Sequence, residues 1–308
     1  MIKRRLSAFA VALVSSVLLW SCGGSSPASP SPGGGGGGVG GGNIPPQPVA
    51  GPVQVLAAGD IGECGFGAAE TAKLLESLPG TILALGDLAY YDGTRANFRD
   101  CYDPFWGQFQ DRIRPVPGNH EYADGKSGAE GYWEYFGALA GPRGLGYYAF
   151  TEGSWRIIAL NSEISMRPGS PQMTWLRQEL STTRVTCTLA YWHRPLFTSG
   201  PNFPNPDVRD LWLALEEFGV DVVLNGHDHL YERFDKQDSS GRPSPTGIRQ
   251  FTVGTGGAHS YDSRPPQPNS LRIAKAYGIL QLTLSNGTYQ WNFVTNSSFR
   301  DSDSGACR

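Results

Sequence analysis

Five short polar clusters constrain the fold of this chain most, because each of them follows an apolar run. In chain order the clusters read AAGDIG, ALGDLAYYDG, PVPGNHEY, AYWHRP and NGHDHLYER. The runs before four of them have the composition of buried strands and cover residues 53–58, 81–85, 188–192 and 220–224. In open α/β sheets the carboxyl ends of the strands carry the ligand crevice, so we expect side chains from distant clusters to share one site.

The clusters hold side chains that bind metal ions. Carboxylate, phenol, amide and imidazole groups follow one another along the chain, and four of the five histidines lie in the clusters. The candidate ligands are Asp60, Asp87, Tyr90, Asn119, His193, His227 and His229. One such cluster alone is more simply a turn or a polar corner. Five unrelated turns have no reason to carry this ordered series, so the set predicts a site for two metal ions.

As a set, the five clusters resemble the metallophosphoesterase (calcineurin-like) superfamily, and within it the purple acid phosphatase branch. The similarity covers about residues 53 to 295. The resemblance implies an α/β fold, here an α+β four-layer sandwich, in which two facing mixed β-sheets are flanked by helices. It also implies a dinuclear metal site at the C-terminal ends of the strands.

The resemblance assigns a role to each candidate ligand. Asp87 would bridge the two metal ions. Asp60, Tyr90 and His229 would complete one ion, and Asn119, His193 and His227 would complete the other. The resemblance further implies catalysis by a metal-bound hydroxide, because two adjacent ions can hold an attacking hydroxide and a phosphoryl oxygen together.

Tyr90 indicates the branch of the superfamily. Most members have the pattern DxH in the first cluster, whereas this chain has Gly62 in place of the histidine, and Tyr90 supplies the replacement ligand. A phenol ionises at about pH 10 in water, so phenolate coordination at neutral pH calls for a strongly polarising ion, and we expect Fe(III). The second ion is expected to be Zn(II), Mn(II) or Fe(II). The simpler alternative is a packed tyrosine with a hydrogen-bonded hydroxyl.

Four further residues lie near the candidate ligands or in a glycine-rich segment. His120 resembles the family's histidine that is not a ligand, and we expect it to protonate the leaving group or orient the phosphate. The alternative is a residue that only orients metal ligands. Arg194 and Arg233 could each meet a phosphate, or pair with the backbone or a surface carboxylate, and His259 could line the pocket or lie on the surface.

The expected function is hydrolysis of small phosphate esters, most simply phosphomonoesters. Three alternatives stay open because a fold does not fix its substrate: a phosphodiesterase, a hydrolase of other esters and a non-catalytic surface lipoprotein. A net charge of −3, with no basic run beyond the N-terminal segment, disfavours a nucleic-acid partner. The oligomeric state is not determined by these patterns.

The N-terminal segment has the features of an export signal. Basic residues at 3–5 precede an apolar stretch over 6–20, which is short for a membrane span. The sequence LWSC resembles a bacterial lipobox ending at Cys22, although Trp20 stands where a small residue is usual. We therefore expect a lipoprotein signal peptide over 1–22 and a lipid anchor on a bacterial membrane, facing the periplasm or the exterior. The alternative is ordinary cleavage and a secreted soluble protein.

The remaining chain divides into a tether and one large domain. Residues 23–52 are nearly all Gly, Ser and Pro and predict a flexible linker, and residues 53–308 predict the catalytic domain. Within 53–308, apolar spacing predicts helices over 67–78, 170–181 and 207–218, the last capped by Asp207. Strands are predicted over 155–160 and 250–253, and a hairpin over 279–284 and 289–294. We expect the loop over 194–206 to form one wall of the substrate pocket.

Four cysteines remain once Cys22 is assigned to the lipid. In an oxidising compartment they allow three pairings. We favour a bond between Cys64 and Cys101, which we expect in loops just after neighbouring site-bearing strands, and a bond between Cys187 and Cys307 that clamps the C-terminal tail.

Overall fold

The computed structural model describes residues 51–123, 125–183, 185–202 and 204–308. The expected signal peptide over 1–22, and all but the last two residues of the expected linker over 23–52, lie outside the described residues. Within the described part of the chain, no helix is both long enough and apolar enough to cross a membrane.

The described strands form two mixed sheets. The first sheet has six strands in the spatial order β13 (Ser302–Ala306), β12 (Thr288–Val294), β11 (Ile279–Ser285), β1 (Val53–Ala58), β2 (Thr81–Leu85) and β3 (Ile113–Val116). The second has seven in the order β10 (Ser270–Ala274), β8 (Tyr231–Phe234), β9 (Arg249–Val253), β7 (Val222–Asn225), β6 (Cys187–Tyr191), β5 (Trp155–Ala159) and β4 (Tyr148–Glu152). The pairs β1–β2, β2–β3, β5–β6, β6–β7 and β7–β9 are parallel, and the other pairs are antiparallel.

Helices connect the strands. The α-helices are α1 (Phe66–Glu76), α2 (Arg95–Asn97), α3 (Asp103–Trp106), α4 (Glu130–Phe136), α5 (Pro171–Thr182) and α6 (Arg209–Glu217). A short π-helical segment covers Phe98–Tyr102, and 3₁₀ turns cover Gly107–Arg112, Gly137–Ala140 and Pro206–Val208. The three predicted helices correspond to α1, α5 and α6, with ends shifted by a few residues.

The prediction that Asp207 caps the last helix is wrong. Asp207 lies inside the 3₁₀ turn that precedes α6, and its backbone N–H donates to Asn205 Oδ1 at 3.0 Å. Pro206, whose fixed φ suits the first helical position, therefore starts the turn one residue earlier, and Asn205 is the cap.

Successive residues of the strands enter two different cores. Ile157 belongs to a core that holds residues of both sheets, such as Leu83 and Leu189. Its neighbour Ile158 belongs to a second core, which packs under α5 and α6 and includes Trp212. This alternation follows from the two-residue period of a strand, and it explains why strands buried on both faces read as continuous apolar runs. The predicted arrangement of two mixed sheets flanked by helices is confirmed.

Sequence patterns missed the strands that lack continuous apolar residues. The edge strands β10 and β13 contain no buried residue, so no burial period marks them. The strand β8 contains Glu232 and Arg233, and both are buried. A hydropathy pattern does not predict a buried strand that contains charged residues, because the partners that compensate their charge lie far away in the chain.

The structure contains both favoured disulfide bonds. Cys64 bonds Cys101 with a Cα–Cα distance of 4.1 Å, and Cys187 bonds Cys307 with a Cα–Cα distance of 5.6 Å. Cys101 lies in the π-helical segment rather than in the loop we expected. The second bond ties the C-terminal strand β13 to the start of β6.

Arg233 belongs to the packing of the fold. Its guanidinium is bidentate on Asp301, with Nε to Oδ2 at 2.7 Å and Nη2 to Oδ1 at 3.0 Å. It also lies over the Trp291 ring at 4.9 Å, and Tyr231 donates its hydroxyl to the same carboxylate at 2.7 Å. The residue is 7% exposed. The structure therefore places Arg233 in an ion pair, and its partner Asp301 is buried, not the surface carboxylate that we expected.

We expect Asp301→Asn to lower the free energy of unfolding by about 3 kcal/mol, because a buried guanidinium would lose its carboxylate. Urea unfolding of the folded domain measures the change. The matched control is Asp303→Asn on the same segment, whose side chain is exposed and whose replacement should change stability by less than about 0.5 kcal/mol. Equal effects of the two replacements would contradict the assignment.

Candidate metal centre

The seven candidate ligands lie on loops that follow five strands. Asp60 follows β1, Asp87 and Tyr90 follow β2, and Asn119 follows β3, all in the six-stranded sheet. His193 follows β6, and His227 and His229 follow β7, both in the seven-stranded sheet. Six of the seven residues are buried, and His227 is partly exposed. The structure therefore brings together at one edge all the residues that the sequence predicted.

One group of donors surrounds the Tyr90 hydroxyl. The hydroxyl oxygen lies 3.0 Å from Asp60 Oδ1, 3.0 Å from His229 Nε2 and 3.5 Å from Asp87 Oδ2. Donors bound to one ion at about 2.1 Å stand about 3 Å apart when the angle between them is near 90°. The spacing of this group suits a single cation.

A second group surrounds His193. Its Nε2 lies 3.0 Å from Asp87 Oδ2, 3.1 Å from Asn119 Oδ1 and 3.2 Å from His227 Nδ1. Asp87 Oδ2 is thus common to both groups. One carboxylate oxygen stands where two neighbouring cations would share a ligand.

Three of the candidate ligands have strained backbone conformations. Asp60, Asp87 and His227 have φ values of 59°, 51° and 74°. These values lie in the left-handed region, which residues other than glycine rarely adopt. Such conformations persist only where the surrounding structure enforces them, and they cluster at functional sites. The strain marks these loops independently of residue type.

Glycines leave room for the ligands. A Cβ at Gly118 would stand 2.2 Å from Asp87 Oδ1, and a Cβ at Gly86 would stand 2.7 Å from His193 Nδ1. At Gly62 a Cβ would stand 2.6 Å from the Leu88 carbonyl oxygen. The position that carries histidine in most of the superfamily therefore has no space for a side chain here.

Hydrogen bonds orient the side chains toward the two donor groups. His193 Nδ1 lies 2.9 Å from the Leu85 carbonyl oxygen, and His229 Nδ1 lies 2.7 Å from the His259 carbonyl oxygen. Each ring therefore presents Nε2 to the centre. The two carboxylates are held from the opposite side, because His227 N donates to Asp60 Oδ2 and His120 N donates to Asp87 Oδ1, both at 2.8 Å.

Glu121 holds the loops after β2 and β3. Its carboxylate accepts from the backbone N–H groups of Asp87, Leu88 and Gly118 at 2.8–2.9 Å. Burial, and then the charge of Asp87, raises the pKa of Glu121 to about 7 against the effect of these donors. Glu121 stands within the third cluster, and no local pattern gives this role because two of its three partners, Asp87 and Leu88, lie more than thirty residues earlier in the chain.

Burial and mutual charge shift the ionisation of the donors. Burial alone would raise the pKa of Asp87, but the facing His193 lowers it, and Asp87 in turn raises the pKa of His193. Burial, followed by the charges of Asp60 and Asp87, raises the pKa of Tyr90 well above its ordinary value. The centre thus combines two buried carboxylates, a phenol, an amide and three imidazoles, which is a donor set for hard or borderline cations.

The side chains around the centre include some that the sequence did not single out. His120 is partly exposed, and its Nε2 lies 3.8 Å from Asp87 Oδ2. Arg194 reaches His227 Nε2 at 3.3 Å, and its Nε donates to Glu163 at 2.9 Å. Tyr261 stacks on the His229 ring at 4.1 Å. No local pattern marks Glu163 or Tyr261, because their roles come only from tertiary contacts.

The predicted pocket loop begins beside the centre. From this loop Asn202 donates its side-chain amide to the His227 carbonyl oxygen at 2.9 Å, and its backbone N–H donates to Asp228 at 3.1 Å. Asp228 is buried between the two histidines of the last cluster and also accepts from Thr198. These contacts fasten the loop to the backbone that carries His227. Whether the loop walls the substrate pocket stays a prediction.

Comparison with known proteins identifies the family of this chain and several similar proteins. Residues 53–231 match the family model of the calcineurin-like phosphoesterases. The chain is 24% identical to purple acid phosphatase 18 of Arabidopsis thaliana, over 91% of this chain and 65% of that protein. It is 28% identical to a phosphoenolpyruvate phosphatase of Allium cepa, over 76% of this chain and 56% of that protein.

A solved structure shares the fold. A purple acid phosphatase from yellow lupin seeds superposes with a TM-score of 0.71 at 18% identity, over 83% of this chain and 54% of that one. The chain therefore spans less than two thirds of the length of these three relatives. Because the matched family segment takes in more than half of the chain and every candidate ligand, the protein belongs to the calcineurin-like phosphoesterase family.

Proposed function

We propose that this protein is a dinuclear-metal phosphohydrolase, similar to the purple acid phosphatases, that hydrolyses phosphomonoesters. The observation that supports the proposal is the shared oxygen of Asp87, which lies 3.5 Å from the Tyr90 hydroxyl and 3.0 Å from His193 Nε2. A pair of adjacent cations polarises a phosphoryl oxygen and lowers the pKa of bound water.

Each donor group would hold one ion. Asp60, Tyr90, His229 and Asp87 would bind the first, and Asn119, His193, His227 and Asp87 the second. Burial and two carboxylates keep the Tyr90 phenol protonated unless a strongly polarising ion displaces the proton, which favours Fe(III) in the first group. The amide, the imidazoles and the carboxylate of the second group suit Zn(II), Mn(II) or Fe(II).

His120 is the residue we propose to act on the substrate. It lies beside the shared oxygen without belonging to either donor group, and its side chain is partly open to solvent. A phosphoryl group placed against Asp87 would therefore meet the imidazole. In this position His120 would protonate the leaving group or orient the phosphate.

We propose that the protein works outside the cytoplasm, anchored by a lipid on Cys22 and tethered by residues 23–52. The two disulfide bonds of the described residues support export, since such bonds persist in oxidising compartments. The expected partner is a small phosphate ester.

The phenolate proposal predicts a visible absorption band. The oxidised, metal-loaded protein should contain two metal ions per chain by elemental analysis and show a charge-transfer band, and Tyr90→Phe should remove the band. Tyr91→Phe is the matched control, because the Tyr91 hydroxyl donates to Glu63 rather than to a member of either donor group, and the variant should keep the band. A wild-type protein without the band, or a Tyr90→Phe variant that keeps the band, would contradict the assignment of Tyr90 as a phenolate ligand.

The substrate class is tested by rates on 4-nitrophenyl phosphate and on bis(4-nitrophenyl) phosphate. We expect kcat/KM to be higher for the monoester. Asp87→Asn should lower kcat/KM by on the order of 100-fold or more. Replacing a residue that only hydrogen-bonds to a metal ligand already costs about 10–100-fold. Asp92→Asn is the control, since Asp92 is an exposed carboxylate in the same loop. Faster cleavage of the diester would favour a phosphodiesterase. No phosphate release would contradict the proposed phosphohydrolase activity.

The role of His120 predicts a dependence on the leaving group. His120→Gln should lower kcat by about 10²–10⁴-fold for an alkyl phosphate, whose leaving alkoxide needs a proton. The loss should be much smaller for 4-nitrophenyl phosphate, and the metal content should not change. A uniform loss for both substrates at unchanged metal content would mean that His120 orients the phosphate, and a loss of metal would show instead that it orients the metal ligands.

A further inference from the structure

Two exposed aromatic rings beside the metal centre share one carboxylate. Tyr91 donates its hydroxyl to Glu63 Oε1 at 2.6 Å. The backbone N–H of His259 donates to Glu63 Oε2 at 2.7 Å, and His259 Nδ1 lies 2.8 Å from the same oxygen. The sequence pattern left the role of His259 open and did not mark Tyr91 or Glu63.

Each ring stands just outside one of the centre's imidazoles. The Tyr91 ring centroid lies 6.3 Å from that of His120, whose Nε2 faces the shared oxygen of Asp87. The His259 ring centroid lies 5.2 Å from that of His229, and the His259 carbonyl oxygen is 2.7 Å from His229 Nδ1. A group that extends from a phosphoryl bound at the centre past His120 therefore reaches Tyr91.

The Tyr91 ring is uncovered although its position is held. Tyr91 is 60% exposed, the most of the large hydrophobic residues in the described chain, and the His259 side chain is 61% exposed. Glu63 precedes Cys64, whose disulfide to Cys101 anchors the segment. A fixed ring with a bound polar tip and a free apolar face binds a partner without a large ordering cost.

We propose that Tyr91 and His259, held by Glu63, form a subsite for an aromatic ring on the alcohol part of the substrate. This inference rests on the proposed function, because it places the leaving group beside a phosphoryl group at the metal centre. The substrate class would be phosphomonoesters whose alcohol carries an aromatic or heteroaromatic ring. Such a ring would stack on the face of Tyr91, and His259 would hold the Glu63 carboxylate that positions the Tyr91 hydroxyl.

Two non-hydrolysable probes test the subsite separately from catalysis. 2-Phenylethylphosphonate and n-butylphosphonate carry the same anionic group and differ in the ring. Calorimetric titration of the metal-loaded protein should show that the wild type binds the phenyl probe about three- to tenfold more tightly, which is the range of an aromatic pair. Tyr91→Leu should abolish this preference while affinity for the butyl probe stays within about twofold.

Two further variants test whether the Tyr91 ring itself contacts the probe and whether His259 contributes to the subsite. Tyr91→Phe keeps the ring and should keep the preference, whereas His259→Leu should reduce it. Leu213→Ala, an exposed apolar residue on α6 that is 43% exposed, is the control and should leave both affinities unchanged.

Equal weakening of both probes in Tyr91→Leu would mean that Tyr91 only supports Tyr90, and it would overturn the inference. A wild type with no preference for the phenyl probe would also overturn it. Phosphate release is measured separately. A protein that shows the ring preference but releases no phosphate would refute the proposed function and retain the subsite.

Discussion

The convergence of two buried carboxylates on one edge is the constraint on which the rest of the structure depends. Asp60 and Asp87 lie among a phenol, an amide and three imidazoles, and burial makes uncompensated charge there costly. The neighbouring groups respond to that cost: against the effect of burial, Asp87 raises the pKa of His193, and burial together with the two carboxylates raises the pKa of Tyr90. Residues with left-handed φ values, and glycines at positions without space for a Cβ, allow these groups to lie within about 3 Å of one another.

The site joins the two sheets. Asp60, Asp87 and Asn119 come from the six-stranded sheet, whereas the three imidazoles come from the seven-stranded sheet. The bond from His227 N to Asp60 Oδ2 and the contact of His193 Nδ1 with the Leu85 carbonyl oxygen both cross between them. Cations bound here would add ligand bonds across the same junction. The shared core behind the strands keeps the roots of all five loops rigid, and this rigidity lets short loops hold donors at fixed separations.

The two arginines next to candidate ligands show what sequence neighbourhood does not decide. Arg194 and Arg233 each lie a few residues from a histidine, and both are basic residues that a phosphate could attract. Arg194 reaches His227, while Arg233 points into a buried pair with Asp301, 68 residues later in the chain. The difference comes from strand geometry, because Arg233 lies within β8 and its neighbours alternate between the two faces of the sheet, whereas Arg194 lies on a loop at the edge.

By itself the sequence determined the identity and order of the seven donors and four of the five strands that carry them. It could do so because those features depend on local chemistry: an apolar run that must be buried, a glycine that permits a turn, and a polar residue at the strand end. Their binding of metal stays a prediction. Only the tertiary structure decided that Asp87 Oδ2 serves both donor groups, that Glu121 fixes two loops, and that Glu63 holds Tyr91 and His259. Each of these depends on distances between residues far apart in the chain, which no local pattern encodes.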